Sequence, residues 1–437
     1  AGTYNPNTGS TSSSDCTDSD AGYYTSSTGS AYQTACTAGT YQSSTGQTSC
    51  SDADAGYYVS STAATSQTAC AAGTYQSSTG QSSCTDASVG YYVPTTAATS
   101  QTACAAGTYQ ASTGQASCDD ADAGYYVTSA GSTSQTACST GSFQPSTGQS
   151  SCLDADAGYY VSSTGSASQY ACSSGTYQPS TGQASCTDAS AGYYVDTTAA
   201  TSQTACAAGT YQPSTGQISC LDADAGYYVD TTAATSQTAC AAGTYNPNTG
   251  STTSSACIDA SAGYYVASAG SASQTACAAG SYQASIGQSS CDDADAGYYV
   301  DTTAATNQTA CALGTYQPST GQSSCIDASA GYYVDTTAAT SQTACAAGTY
   351  NPNNGSTTSS ACIDASAGYY VPTTAATSQT ACSLGTYQPD TGQSSCDDAD
   401  AGYYVGSTAS IVQTPCSLGT YQPSTGQSSC DDADAGY

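Results

Sequence analysis

The cysteines of this chain recur at a fixed interval, and that regularity limits what the chain can fold into. The 25 cysteines run from Cys16 to Cys430 at spacings that alternate between 20 and 14, with two of the short spacings lengthened to 17. A 34-residue period kept over 437 residues is typical of a repeat array, in which each unit packs mainly on its neighbours. We therefore predict one continuous tandem array over residues 1–437, with about 13 units of 34–37 residues. Both ends fall inside a unit, so we expect a segment of a longer array.

The composition leaves little material for an ordinary hydrophobic core. The chain has one Phe, no Trp and no Met, but 39 Tyr. A normal core needs many buried aliphatic side chains, each contributing about 1.5–3 kcal/mol. We predict that thin layers of Tyr closed by disulfides replace such a core, which requires an oxidising compartment. A zinc site is not expected, because it would need closely spaced cysteines or neighbouring His.

The charge excludes several classes of partner. All 31 ionisable acids are Asp, and with no Lys, Arg or His the formal net charge is −31. We therefore expect no direct binding to nucleic acid or to an anionic membrane. No apolar run is long enough to insert into a membrane. Serine is abundant but has no basic partner, so we expect no enzymatic activity.

Local patterns within the 34-residue unit favour short strands and turns. Tyr227-Tyr228-Val229 and Thr210-Tyr211-Gln212 have strand propensity, and Pro213-Ser-Thr-Gly216 suits a tight turn. No segment shows a helical apolar period. The predicted fold is a small disulfide-rich β protein: a linear array of short two-stranded hairpin modules forming an elongated, solenoid-like rod.

Each unit divides into two related halves. Ala225–Cys240 and Ala242–Cys257 are equal in length, begin with Ala-Gly-x-Tyr and end at a cysteine. This favours two versions of one ancestral module, each with a closing cysteine. Because adjacent strand residues point to opposite faces, we expect one ring of the Tyr227-Tyr228 pair to pack inward and the other to face outward.

Two disulfide pairings fit the cysteine spacings. Cysteines separated by a short spacing could join, as in Cys206–Cys220 and Cys240–Cys257. Alternatively, those separated by the long spacing could join, as in Cys220–Cys240. Either pairing leaves one cysteine over, whose partner we expect outside the segment seen here.

Paired aspartates in the turn Cys-x-Asp-Ala-Asp are the sharpest candidate site. Eight copies carry both carboxylates and five have Ser in the second place. We interpret them as solvated turn acids, with weak Ca²⁺ binding as the alternative, and expect no required cofactor. The representative candidate pairs are Asp52/Asp54, Asp120/Asp122 and Asp222/Asp224.

Serine and threonine clusters are candidate sites for covalent glycans. Such clusters in a secreted chain are often O-glycosylated, which solvates a backbone with few apolar groups to bury. N-glycans require Asn-x-Ser/Thr, which occurs at Asn307 and Asn354. The candidate O-glycan residues are Thr231, Thr232, Thr358, Ser359 and Ser360.

The motif Cys-x-Ala-Gly-Thr-Tyr…Gly-x-x-x-Cys, seen from Cys206 to Cys220, resembles the small cysteine-rich repeat of ephrin receptors and tumour necrosis factor receptors. Similar repeats occur in extracellular proteins of protists and algae, including mastigoneme (flagellar hair) proteins. The chain departs from that pattern where a second cysteine is expected, as at Ala223 in Cys220-Leu-Asp-Ala223. The resemblance implies the shorter pairing, which encloses the Gly-x-Tyr turn: Cys36–Cys50, Cys70–Cys84, Cys104–Cys118, Cys206–Cys220 and Cys240–Cys257.

These features predict a structural function. We expect a secreted, extracellular or cell-surface chain, stapled by disulfides and O-glycosylated, that self-associates into a filament or the shaft of an appendage. The alternative is the stalk or ligand-binding ectodomain of a receptor or adhesin.

Overall fold

The fold is a series of β-hairpins, as predicted. A computed structural model of the chain describes residues 1–434, which contain 25 two-stranded antiparallel sheets. Three 3-10 turns, Ser13–Asp15, Ser254–Ala256 and Ser359–Ala361, are the only helical segments in this range. No helix among the described residues has the length and apolarity to cross a membrane.

The hairpins belong to two types, and every strand has two residues. In the short type a Thr-Tyr strand, or its Ser variant, pairs with the strand after the second cysteine. These hairpins are Thr3–Tyr4 with Thr17–Asp18, Thr40–Tyr41 with Ser51–Asp52, Thr74–Tyr75 with Thr85–Asp86, Thr108–Tyr109 with Asp119–Asp120, Ser142–Phe143 with Leu153–Asp154, Thr176–Tyr177 with Thr187–Asp188, Thr210–Tyr211 with Leu221–Asp222, Thr244–Tyr245 with Ile258–Asp259, Ser281–Tyr282 with Asp292–Asp293, Thr315–Tyr316 with Ile326–Asp327, Thr349–Tyr350 with Ile363–Asp364, Thr386–Tyr387 with Asp397–Asp398, and Thr420–Tyr421 with Asp431–Asp432.

In the long type a Tyr-Tyr strand pairs with the strand before the next cysteine. These hairpins are Tyr23–Tyr24 with Thr34–Ala35, Tyr57–Tyr58 with Thr68–Ala69, Tyr91–Tyr92 with Thr102–Ala103, Tyr125–Tyr126 with Thr136–Ala137, Tyr159–Tyr160 with Tyr170–Ala171, Tyr193–Tyr194 with Thr204–Ala205, Tyr227–Tyr228 with Thr238–Ala239, Tyr264–Tyr265 with Thr275–Ala276, Tyr298–Tyr299 with Thr309–Ala310, Tyr332–Tyr333 with Thr343–Ala344, Tyr369–Tyr370 with Thr380–Ala381, and Tyr403–Tyr404 with Thr414–Pro415.

The two types are equivalent modules, and each spans half of the 34-residue period. Thr40 pairs with Asp52 in a short module, and at the same place in the next, long module Tyr57 pairs with Ala69. The cysteines, however, hold different places. In a short module the second cysteine precedes the second strand, whereas in a long module the next cysteine follows it. The expectation that both halves end at an equivalent closing cysteine was therefore wrong, and the uneven cysteine spacing conceals an even step between modules.

The chain forms two compact units. The first comprises Ala1–Cys206 and Gln212–Cys220, and the second comprises Ala207–Tyr211 and Leu221–Tyr437. Within each unit the same hairpin types alternate.

Within each compact unit, backbone hydrogen bonds join each module to the next in the same way. From the short module 36–52 to the long module 53–69, three bonds run from Gly39 N to Val59 O (2.8 Å), from Gln42 N to Ala64 O (3.1 Å) and from Ala63 N to Cys36 O (2.9 Å). From the long module to the short module 70–86, the equivalent bonds run from Gly56 N to Gln76 O (2.8 Å), from Val59 N to Gln81 O (3.0 Å) and from Gly80 N to Ala53 O (2.8 Å). Stacking is therefore the same whichever type comes first.

The core consists of small side chains rather than tyrosines. Cys36, Ala53 and Cys70 occupy equivalent positions in three successive modules, and each is 0% exposed. Val59 adds an aliphatic side chain in the long module. The tyrosines of the hairpin strands are mostly half-buried, so the predicted Tyr layers were wrong in detail: Tyr lines the core without filling it.

Except at Tyr403–Tyr404, where the first ring is exposed, the two rings of a Tyr pair do not divide into inner and outer. Tyr227 and Tyr228 are both half-buried, contrary to the expectation from strand alternation. The first ring packs along the array: the hydroxyl of Tyr125, for example, lies beside Gly165, one 34-residue unit and a short turn further on. A strand of two residues with neighbours on both sides has no fully solvated face.

The glycine of the Gly-x-Tyr motif is required by close packing. Gly39 has φ of +93°, and a Cβ there would overlap the carbonyl oxygen of Gly80 two modules on. Only glycine accommodates both the left-handed backbone and this approach.

Candidate functional site

Twelve disulfides close the short modules within residues 1–434. Cys240–Cys257 and Cys345–Cys362 have a sequence separation of 17, and all the others have a separation of 14. Of the two pairings that the sequence allowed, this is the one implied by the receptor-like motif; Cys16 is free and exposed. The remaining disulfides are Cys36–Cys50, Cys70–Cys84, Cys104–Cys118, Cys138–Cys152, Cys172–Cys186, Cys206–Cys220, Cys277–Cys291, Cys311–Cys325, Cys382–Cys396 and Cys416–Cys430.

A glutamine closes each long module where the short module has a disulfide. Ala53 and Gln67 occupy the places of Cys36 and Cys50, with the same sequence separation of 14. The Gln67 amide oxygen accepts from the N–H of Asp54 at 2.6 Å, and its Nε2 donates to the Asp54 carboxylate, also at 2.6 Å. We call this two-bond contact the glutamine clasp. It was not anticipated, although Gln-x-Ala-Cys recurs in the sequence.

The second aspartate of the paired motif is therefore a clasp partner. Where Ser replaces it, one of the two bonds remains: the N–H of Ser88 still donates to Gln101 at 2.7 Å. Of the predicted Asp residues, Asp54, Asp122 and Asp224 all bond to a glutamine in this way.

The first aspartate of the motif has different surroundings. The side chains of Asp52 and Asp120 lie against the turn glycines Gly80 and Gly148 of the next short module. Within residues 1–434 no group of three or more acidic or metal-ligating side chains lies together. Ca²⁺ binding by an Asp pair stays a prediction. Where a clasp forms, the second carboxylate of the pair already accepts a hydrogen bond from glutamine.

The acidic surface also acts on one tyrosine. Burial raises the pKa of Tyr387, and the carboxylates of Asp400 and Asp397 raise it further. The negative potential of the two carboxylates thus disfavours ionisation of the Tyr387 hydroxyl.

The candidate glycan residues lie mainly on the surface. Asn307 and Thr309 of one sequon are exposed. In the other, Asn354 accepts from the N–H of Ala330 at 2.7 Å, while Ser356 is only 9% exposed. All five predicted O-glycan residues are exposed: Thr231, Thr232, Thr358, Ser359 and Ser360.

The longer turns replace a glutamine with a buried asparagine. Asn246 is 0% exposed, and its Nδ2 donates to the Tyr227 carbonyl at 2.9 Å and to Ser251 Oγ at 2.8 Å. In the shorter loop the equivalent Gln212 donates to Ser219 O at 2.8 Å. The additional residues of the longer turn are thus anchored by internal hydrogen bonds.

A concave groove recurs where a long module meets the following short one. One copy, a cavity of about 430 Å³, is lined by Tyr126 of the long module and by Ser142, Ser151, Cys152 and Asp154 of the short one, among others. Two more cavities, of about 310 and 290 Å³, lie at equivalent places beside Tyr160 and Tyr265. We call this feature the junction groove.

One comparison with known proteins supports the receptor-like motif. A family model described as tyrosine-protein kinase ephrin type A/B receptor-like matches residues 297–345. The matched segment includes the Cys311–Cys325 disulfide and the hairpins on both sides of it. The chain as a whole matches no curated protein.

Proposed function

We propose that this chain is a structural subunit of an extracellular fibre or cell-surface appendage. The observation that carries the proposal is the stacking pattern, in which the same three backbone hydrogen bonds recur from short to long and from long to short module. Compact units whose internal steps have equivalent contacts suit a filament, because head-to-tail contacts that do not close propagate. The proposal includes self-association, O-glycans on the exposed Ser and Thr, and no catalytic activity.

The disulfides support an extracellular location. Structural disulfides such as those in every second module persist in oxidising environments. The family model that matches residues 297–345 carries the description of a receptor-like segment. Flagellar-hair material is one form of appendage that this proposal includes.

Electron microscopy of the native material at side-chain resolution tests the proposal. We expect continuous fibres with an axial repeat set by the step from one module to the next, and with sugar density on Ser and Thr. Discrete single chains that end in a different folded domain would contradict it.

A receptor or adhesin ectodomain is the second candidate. The match to an ephrin receptor-like model favours this candidate, because residues 297–345 would then form part of a receptor stalk. The two candidates differ in concentration dependence: purified chains should lengthen into filaments under the first and remain single under the second, as analytical ultracentrifugation would show.

A further inference from the structure

We infer that the junction grooves beside Tyr126 and Tyr265 each bind one ring of a neutral sugar. The inference deepens the proposed function, since it assigns a ligand class to a surface that the array repeats. It is carried by four features of the groove: its recurrence, its free carboxylate, the chemistry of its lining and its size.

The groove recurs because the repeat builds it. Tyr126, Ser142 and Asp154 line the first copy, and Tyr265, Ser281 and Asp293 line another at the same places in the module. In the copy beside Tyr160, Thr176 takes the place of the groove serine, and no aspartate among residues 1–434 lines the cavity. A chance surface depression would not return with the same residue types.

The groove carboxylate has no partner within the described residues. Asp156, two residues after Asp154, is bonded to Gln169 at 2.6 Å, whereas Asp154 lies beside Gly182 and forms no such bond. All 13 copies of the motif keep the first Asp, although five have lost the second. An acceptor that is retained without an internal hydrogen bond is available to a ligand.

The lining selects against other ligand classes. An anion would meet a carboxylate and no cation, because the chain has no Lys, Arg or His. A calcium ion takes 6–8 oxygen ligands, usually from several carboxylates, whereas the grooves beside Tyr126 and Tyr265 supply one carboxylate each. A purely apolar ligand would leave the Asp154 carboxylate and the Ser151 hydroxyl without hydrogen bonds, whereas the Ser142 hydroxyl already donates to the Ser139 carbonyl at 2.9 Å.

A sugar ring uses all of these groups. Its C–H face can pack on the half-buried ring of Tyr126, while its hydroxyls donate to Asp154 and exchange hydrogen bonds with Ser151. The cavities of 290–430 Å³ lie at the lower end of the roughly 300–1,000 Å³ found for small-molecule sites. That size suits a monosaccharide or a single ring of a longer glycan.

The sugar has two possible sources. Ser139 and Ser151 line the groove and are exposed, so a glycan on either would hold a sugar beside Tyr126 at the millimolar effective concentration typical of a short tether. A polysaccharide from outside the chain offers the same chemistry.

The test titrates the unglycosylated full chain, carrying ¹³C in its tyrosine rings, with neutral methyl glycosides of glucose, galactose and mannose. The Tyr126 resonance is assigned with the variant Tyr126→Phe. We expect it to shift with at least one glycoside, and Asp154→Asn to weaken that binding roughly tenfold by removing a charge-assisted acceptor. The matched control is Asp156→Asn, which makes the same charge change in the same turn outside the groove and should leave the affinity unchanged.

Three results would overturn the inference: no shift with any glycoside, equal weakening by the two variants, or a Tyr126 shift produced by Ca²⁺ or methylammonium but not by sugar. Because the titration uses single chains, its failure leaves the filament proposal intact. An attached glycan is the source if, in native material, the Tyr126 resonance is already shifted from its position in the unglycosylated chain and returns to that position after deglycosylation. A resonance that still responds to added glycoside identifies an external one.

Discussion

Short module 36–52 and long module 53–69 have the same backbone but different closures. Both contain two-residue strands with the same register, and both stack through three backbone hydrogen bonds. One is closed by Cys36–Cys50 and the other by the glutamine clasp of Gln67 on Asp54. The comparison indicates that stacking determines the hairpin geometry, while closure adjusts how stable each module is.

The glycine of the motif should be equally important in both module types. Gly39→Ala and Gly56→Ala each place a methyl group on a backbone carbonyl two modules on, at positive φ. We expect each to lower the local free energy of opening by more than about 3 kcal/mol, from backbone strain and overlap together. Hydrogen exchange of the amides in modules 36–69 measures this locally, which suits an array that need not unfold in one step.

Gly9→Ala is the control for the overlap alone, because Gly9 also has a positive φ of +84° but a Cβ there meets no atom within 4 Å. If only Gly39→Ala lowered the local free energy of opening, then the disulfide, and not stacking, would explain why the short module does not tolerate the substitution.

Removing a disulfide should have the next largest effect. Cys36→Ser with Cys50→Ser opens the loop and should destabilise module 36–52 by about 3 kcal/mol, mainly by freeing the unfolded chain. Exchange rates should rise in the short module while its hairpin register is retained. Loss of the hairpin itself would show that closure determines geometry after all.

The clasp should contribute less than the disulfide. Gln67→Ala removes two hydrogen bonds at an exposed site and should destabilise module 53–69 by about 1.5 kcal/mol. Gln101→Ala removes only the bond from the Ser88 N–H and should cost about half as much. Equal losses would mean that the carboxylate bond contributes nothing.

Converting one closure into the other should change stability about as much as losing the clasp does, but in the opposite direction. Ala53→Cys with Gln67→Cys should form a new disulfide, because these residues occupy the places of Cys36 and Cys50. The gain of about 3 kcal/mol is partly offset by loss of the clasp, about 1.5 kcal/mol, so we expect a net gain of about 1.5 kcal/mol. Mass spectrometry before and after reduction shows whether the bond forms; two free thiols would contradict the equivalence of the modules.

Much of this architecture is predictable from the sequence. The cysteine period predicts the array, and Tyr-Tyr and Thr-Tyr with turn residues between them predict two-stranded hairpins, which the structure confirms. The receptor-like motif implied the pairing represented by Cys36–Cys50.

The clasp and the core were not predicted, for a common physical reason. Cysteine marks different places in the two halves, so aligning the halves by cysteine hides the match between Gln67 and Cys50. An alanine such as Ala53 looks like a spacer in sequence, yet it is fully buried because the stacking leaves room only for small side chains. Carboxylate partners also depend on chain folding: Asp54 meets a glutamine 13 residues away.

The placement of the disulfides determines how the chain would stretch. Each covalent ring begins and ends within one short module, so among residues 1–434 no disulfide links one module to another. A pulling force could straighten the segment from Cys50 to Cys70 up to an extended length of roughly 70 Å, but could not open the rings beside it. The array would therefore behave as a string of inextensible links joined by yielding segments, which absorb a sudden load and restack when it is removed.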